Sequence, residues 1–341
     1  MHSTTDWRPR HPNCNGLQLG LLLALPCWLY ASTGLPQALR LLPWLGMVML
    51  VVFAAEFWCT HRRDWQPTSA ELKRDISVFG LNAVADGAIS ALLAIVAVAL
   101  AGDALGWPLA LQLALGLPLA EFGPYWLHRL SHRDGWLWKA HLLHHRPDKL
   151  NAANALTAHP LNAAWDTLAR VLPLLLLGFS GEAILALSTF ALTQSVLVHA
   201  NIETRPGRLG WVLGNAELHR LHHSTDSAQA GNFGTAIPLW DHVFGSWRFG
   251  PEPHAVGVFE DAAYPTALQW GALLAVPFSG LSVGRACGAR LNACRRSAAC
   301  AADATIEIRP PAASTAARGA RSQASHCAPP SDDPPPPPAS R

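Results

Sequence analysis

The chain has 341 residues, half of them hydrophobic and only 14% charged, with a formal net charge of +2. That is too apolar and too sparsely charged for an ordinary soluble domain, and its basic residues follow the pattern of membrane loops, which argues against nucleic acid as a partner. Seven cysteines without a C-x-x-C pair give neither a disulfide framework nor a thiolate zinc site, so free thiols in a reducing compartment are expected.

A spanning helix needs about 20 mostly apolar residues. After an N-terminal tail, residues 1–15, such stretches lie near Gly16–Ala31, Leu41–Phe57, Ile76–Leu100 and Trp107–Leu127. Arg8 and Arg10 ahead of the first resemble the start of a signal peptide. Pro26, Cys27, Trp28, Leu29 and Tyr30 are too bulky for a cleavage site, so a retained helix is expected. Residues 16–75 then hold two N-terminal helices and a linker, Cys59–Asp75, whose charges mixed with Trp65 and Leu72 suit the headgroup layer.

Residues 76–282 form the expected main helical domain. Within it, Leu168–Ala200 is long enough for a hairpin turning at Gly178, Ser180 and Gly181, with arms short for a full crossing. Tyr264–Ser282 contains Pro265 and Pro277 and is expected to lie at the interface. The remainder, residues 283–341, turns to Ala, Arg, Ser and Pro and ends in Pro334–Pro338, the composition of a disordered tail.

Lys and Arg set the orientation, because cytoplasmic loops carry the excess positive charge. Arg62, Arg63, Lys73 and Arg74 lie between the second and third stretches, and Arg129, Arg133, Lys139, Arg146 and Lys149 follow the fourth. Gly102–Gly106 has no Lys or Arg. Both termini therefore fall in the cytoplasm, giving a multi-pass integral membrane protein.

Three histidine clusters share that side: His128 with His132, then His141, His144 and His145, then His219, His222 and His223. On helices, spacings of three and four put each set on one face. Chance placement would give roughly 0.03 copies of H-x-x-H-H per chain, and there are two. Eight imidazoles packed together repel when protonated, but as neutral nitrogens they match first-row transition metals. Trp136, Leu137 and Trp138 between the first two clusters read as membrane anchoring.

These residues carry a resemblance to the fatty acid hydroxylase and sterol desaturase superfamily of integral membrane di-iron enzymes. The matching segments are Tyr125 to His132, Leu137 to His145, His199-Ala200-Asn201, His219 to Ser224, Asn232-Phe233-Gly234 and Trp240 to Gly245. The resemblance covers roughly Phe79 to Phe278. It implies an all-α fold, a polytopic transmembrane helical bundle with a cytosolic helical cap carrying the histidine boxes and two iron ions. The implied activity is O2-dependent hydroxylation or desaturation of a lipid aliphatic C–H, in a fatty acyl chain, sterol or isoprenoid.

His159 and His199 stand in family segments as candidate extra ligands, with hydrogen bonding to a loop or another imidazole as the other reading of each. Asp241, Asn201 and Asn232 are candidates for supporting the ligands, Glu121 and Glu217 could do similar work, and His242 is a weaker ligand candidate. His2, His11, His61, His254 and His326 read as surface residues. Similar proteins often carry Arg and Glu where Thr157 and Asn162 stand, which reads as a relaxed local salt bridge. Arg146 replaces a frequent Ser.

Electrons must come from outside, because the sequence has no haem domain, cysteine array or dinucleotide fingerprint. A ferredoxin- or cytochrome-type donor with its reductase is implied. The rival readings are a zinc-dependent membrane hydrolase, weakened by the absence of H-E-x-x-H, and a non-catalytic metal-binding or lipid scaffold.

Overall fold

A computed structural model describes residues 14–99, 106–133, 135–205, 207–258 and 264–279. The expected disordered tail, 283–341, most of the N-terminal tail and most of Gly102–Gly106 lie outside the described residues. Helices dominate, no strand forms among the described residues, and two isolated bridges, Thr60 with Ile202 and Ser224 with Val256, tie loops together.

Helix α1 (Asn15–Ala31) and α2 (Gln37–Trp58) form a hairpin. Gly34 takes a φ of +89° in its turn, and the Trp28 indole N–H donates across it to the Arg40 carbonyl at 2.7 Å. Helix α3 (Ser69–Ala99) starts two turns before its apolar run. The cause is a capping box: the Thr68 hydroxyl accepts from the Glu71 N–H, and the Glu71 carboxylate accepts from the Thr68 N–H at 2.7 Å.

Helix α4 (Leu109–Ser131) is followed by α5 (Trp136–His145). The hairpin is α6 (Pro160–Leu176) and α7 (Gly181–His199), and its turn falls where Gly178 and Ser180 predict it. Its first arm begins earlier than hydropathy suggests, because Pro160 opens the helix and polar Asn162, Asp166 and Arg170 recur along one face.

Among the described residues, three helices are long and apolar enough to cross a membrane: α2 through Leu39–Trp58, α3 through Ser69–Ala97 and α7 through Gly181–His199. This differs from expectation at both hairpin and flanks. Helix α7 is not short, α1 is, and α4 falls outside the set. Helix α7 is the centre of the bundle, packed on α1, α2, α4 and α6, with 56% of its apolar window buried against 17% for α3. On α3, Val84, Leu92 and Ile95 face outward, as lipid-facing side chains would. Helix α6 packs on α3 and α4. At Gly123 the contact with α6 is so close that a Cβ would stand 2.7 Å from the Ala169 carbonyl oxygen.

Short helices complete the unit: α8 (Ala216–His222), α9 (Leu239–Phe244) and α10 (Trp270–Ala275). Within Tyr264–Ser282, α10 and one 3-10 turn pack Leu273 and Val276 onto Trp138, Leu142 and Leu143 of α5. Six residues of α-helix cannot span.

Cys14 and Cys59 form a disulfide, correcting the expectation of free thiols throughout. Cysteine spacing hid the pair because a helical hairpin returns its two ends to one place. The Cys14 N–H donates to the Glu203 carbonyl, and the Glu203 N–H to that of Cys59. Cys27 is free and exposed.

Candidate metal centre

The ends of α4, α5, α7 and α8 converge, and nine of the eleven candidate histidines meet there, His159 and His242 standing apart. His128, His132, His141, His145 and His222 form one group and His144, His199, His219 and His223 another, with each group's nitrogens within 4.8 Å of one another. The His145 and His223 rings stack at 4.1 Å between the groups. His132 and His223 sit at the C-caps of α4 and α8, where chain reversal turns their rings inward.

Five of the nine rings have an outward nitrogen held by an oxygen acceptor. The Nδ1–H of His128 donates to the Phe233 carbonyl at 2.7 Å, that of His222 to the Gly231 carbonyl at 2.7 Å and that of His144 to the Thr157 carbonyl at 3.3 Å. His141 donates to Asn162 Oδ1 at 2.7 Å and His199 to Asn154 Oδ1 at 3.2 Å. Each such bond fixes a tautomer whose Nε2 carries a lone pair.

The inner nitrogens then crowd: His199 Nε2 lies 2.9 Å from His219 Nε2, and His145 Nε2 lies 3.1 Å from His222 Nε2. The Nε2 atoms of His128, His132 and His141 are buried without a partner. Unpaired buried acceptors are costly. Burial holds His144 down to about 4 and pushes His141, His145, His219, His222 and His223 well below 6.5, so these rings are neutral at pH 7. Neutral imidazole nitrogens turned inward in two adjacent sets are donors suited to transition-metal ions. Neither set contains a carboxylate.

The remaining candidates fall into distinct roles. His159 is not with the others: it caps α6, its Nδ1 accepting from the Leu161 N–H and its Nε2 donating to the Leu274 carbonyl. Both nitrogens are spent on backbone. Asp241 touches no imidazole, but accepts from the Phe233 and Gly234 N–H groups at 2.8 and 2.7 Å and from the Ser246 hydroxyl, fixing the loop that presents carbonyls to His128 and His222. Burial raises its carboxyl above the usual range.

Asn232 takes a left-handed φ of +54° and donates to the Leu218 and Arg248 carbonyls, bracing α8. Asn201 bonds both backbone groups of Arg62 and likewise touches no imidazole. His242 stacks on Trp211 at 5.2 Å, outside both groups. Arg146 is anchored through its Nε–H to the Pro265 carbonyl.

Thr157 and Asn162 do not stand in for one salt bridge. The Thr157 hydroxyl donates to Asp75, which is paired with Arg74, while Asn162 bridges His141 to Asp166 by donating to Asp166 Oδ2 at 2.9 Å. Glu121 pairs with Arg170 instead of supporting a ligand. His61 is buried, not a surface residue, and lies between Glu203 and Glu252.

Sequence reasoning missed Asn154 and Glu56. The fully buried Glu56 carboxylate accepts from the Ala152 and Asn201 N–H groups at 2.7 and 2.8 Å, locking together the loops beside His199. An acid near the end of an apolar run was the available signal.

Residues 113–246 match the sequence profile of the family described as fatty acid hydroxylase. The chain is 33% identical over 174 residues to an ornithine lipid hydroxylase of Rhizobium tropici, covering 51% of this chain and 52% of that one. It is 31% identical over 147 residues to a putative Delta(7)-sterol-C5(6)-desaturase of Arabidopsis thaliana, 40% of this chain and 48% of that one. It is 27% identical over 150 residues to the alkylglycerol monooxygenase of Homo sapiens, 41% of this chain and 33% of that one. The matched region spans about half the length of these relatives or less. No solved structure matches the chain significantly. The matched segment carries all three histidine boxes, and through it the chain is similar to the fatty acid hydroxylase family.

Proposed function

We propose that the protein is a membrane di-iron oxygenase that hydroxylates or desaturates an aliphatic C–H of a lipid, using O2 and electrons from an external ferredoxin- or cytochrome-type donor. The observation that carries this reading is the convergence of nine imidazoles into a set of five and a set of four, with five outward nitrogens bonded to oxygen acceptors and the inner nitrogens crowded together. His128, His132, His141, His145 and His222 would hold one iron and His144, His199, His219 and His223 the other. Bound iron would supply the O2 activation that an aliphatic C–H bond requires.

The chain's own residues supply position. Five acceptor oxygens hold rings in place, the Asp241 loop keeps two of those oxygens still, and the α4–α6–α7 packing seats the site at the end of an apolar bundle. A substrate chain lying in that bundle would be oriented toward one reactive end, and orientation selects the bond that reacts. Helices able to span, together with the Lys and Arg bias, support a cytoplasmic placement of the histidines. The relative named for an ornithine lipid makes an amino-acid-headed lipid the first substrate class to test.

The test is to purify the protein anaerobically, count its metal, supply reductant and O2, and examine host lipids by mass spectrometry. Two irons per chain and a lipid product gaining one oxygen, or losing two hydrogens, are expected. His144→Ala or His222→Ala with unchanged iron content and turnover would refute the shared centre. Oxygen-independent lipid cleavage would indicate a zinc hydrolase, and a metal-loaded protein that changes no lipid would indicate a scaffold. The all-histidine sets lack the carboxylate base that zinc hydrolysis commonly uses, which favours the oxidase.

A further inference from the structure

Helix α8 has a second working face. At 100° per residue, His219, His222 and His223 share one side, while Glu217, Arg220 and Leu221 fall on the other. That other side lines a cavity of about 190 Å³ whose walls also include His61, Glu203, Thr204 and Glu252.

Three features of its walls set what this cavity would accept. The Arg220 side chain is 4% exposed, its Nη1 is buried without a hydrogen-bond partner, and its closest ion-pair contact, Nε to Glu252, is 4.0 Å long. The buried Thr204 hydroxyl also lacks a partner. Glu217 is partly buried and makes no hydrogen bond or ion pair among the described residues. A desolvated guanidinium without acceptors is expensive, and an acceptor oxygen from outside relieves it.

The same space holds opposite demands. Arg220 and Thr204 line it and carry buried donors without acceptors, which call for an anionic oxygen, whereas Glu217 calls for an N–H donor, with Glu203 and Glu252 adding negative charge around it. A simple anion would meet three carboxylates, and a simple cation would leave Arg220 unpaired. A metal ion is disfavoured by the guanidinium. One short molecule carrying an ammonium and a carboxylate satisfies both ends and fits the volume.

We propose that this cavity is the head-group subsite of the enzyme, binding a zwitterionic amine–carboxylate group of amino-acid type on the face of α8 opposite the histidines. Its assignment to substrate rests on the lipid-oxidising function proposed above, while the zwitterion specificity rests on the cavity alone. Because α8 is the shared wall, occupancy on one side bears directly on the helix that positions His219, His222 and His223.

The experiment uses the full chain, iron-loaded, in detergent, titrated calorimetrically with Nα-acetyl-L-ornithine. N-acetylputrescine lacks only the carboxylate and Nα-acetyl-L-norvaline only the ammonium. At least tenfold tighter binding of the zwitterion than of either control is expected. Glu217→Gln and Arg220→Met should each weaken it tenfold or more while iron content and melting temperature are retained. Glu217→Gln keeps the side chain's shape and tests the site even if Arg220→Met does not fold. Equal binding of either single-charge control, binding indifferent to Glu217→Gln, or no saturation by any probe overturns the proposal. Lipid turnover on the same sample separates the two claims: absent binding with intact turnover sinks the subsite alone, and binding without any iron-dependent turnover sinks the oxygenase reading alone.

Discussion

Asn162 offers the sharpest test of how the imidazoles are held. Its Oδ1 accepts the His141 Nδ1–H at 2.7 Å, and its amide donates onward to Asp166 at 2.9 Å. Replacement by leucine, similar in size, removes the acceptor and leaves a buried imidazole N–H unpaired, a cost of about 1–3 kcal/mol. At about 1.4 kcal/mol per decade, that is roughly a 5- to 100-fold loss of metal affinity, in line with what removal of a ligand's supporting hydrogen bond usually costs.

The assay is chelator competition on metal-loaded Asn162→Leu, with iron content read at each chelator concentration and the metal-free melting temperature measured in parallel. The expected result is a competition midpoint shifted by one to two decades. Asn162→Asp should recover most of the loss, because a carboxylate accepts the same proton, and one of the paired acids can stay protonated beside Asp166. A midpoint for Asn162→Leu within twofold of the parent would refute the argument that this bond fixes the His141 tautomer.

Other outcomes follow from the same geometry. His159→Asn should keep both the metal content and turnover, since asparagine also caps helices and His159 stands outside both groups; its loss of iron on anaerobic purification would contradict that placement. Gly234→Ala should lower stability by about 1–3 kcal/mol in denaturant melts, because its Cβ would meet the Ile237 carbonyl oxygen at 2.4 Å and the Asp241 carboxylate at 2.8 Å; a neutral result would mean the loop yields freely.

The metal-stripped protein should lose stability as pH falls. His144 titrates at about 4 when folded against 6.5 unfolded, so between those values the unfolded state binds the extra proton, and about 3 kcal/mol is lost across the window at about 1.4 kcal/mol per unit. Chemical denaturation from pH 7 to pH 4 showing flat or rising stability would refute it. Thiol trapping in living cells reads the side of the membrane: a reducing cytoplasm would keep Cys14 and Cys59 as thiols although the fold brings them within bonding reach, and a persistent disulfide would refute the cytoplasmic placement of the histidine end.

The boxes were legible because helix period alone puts His128 with His132, and each H-x-x-H-H set, on a single face. Hydropathy found α2, α3 and the hairpin turn, but misjudged helix starts. Thr68 with Glu71, and His159 with Pro160, begin helices on capping chemistry that carries no apolar signal. What supports the histidines was far less legible. Three of the five acceptors for outward nitrogens are backbone carbonyls, at Phe233, Gly231 and Thr157, and a carbonyl has the same sequence signature everywhere.

His159 and His199 show the limit most directly, since both occupy family segments beside the boxes and the sequence treats them alike. Their fates are set by neighbours. Pro160 starts a helix, so the ring before it turns back onto the Leu161 N–H, whereas His199 ends α7 and meets Asn154, which hydrogen bonds to the Lys149 carbonyl and Asn151 already orient. His199 is presented to the site because Asn154 claims its outer nitrogen and leaves the inner one facing the other imidazoles. That contact is made across loops distant in sequence, which is also why His61 and Arg220 read as ordinary until the fold places Glu203 and Glu252 beside them.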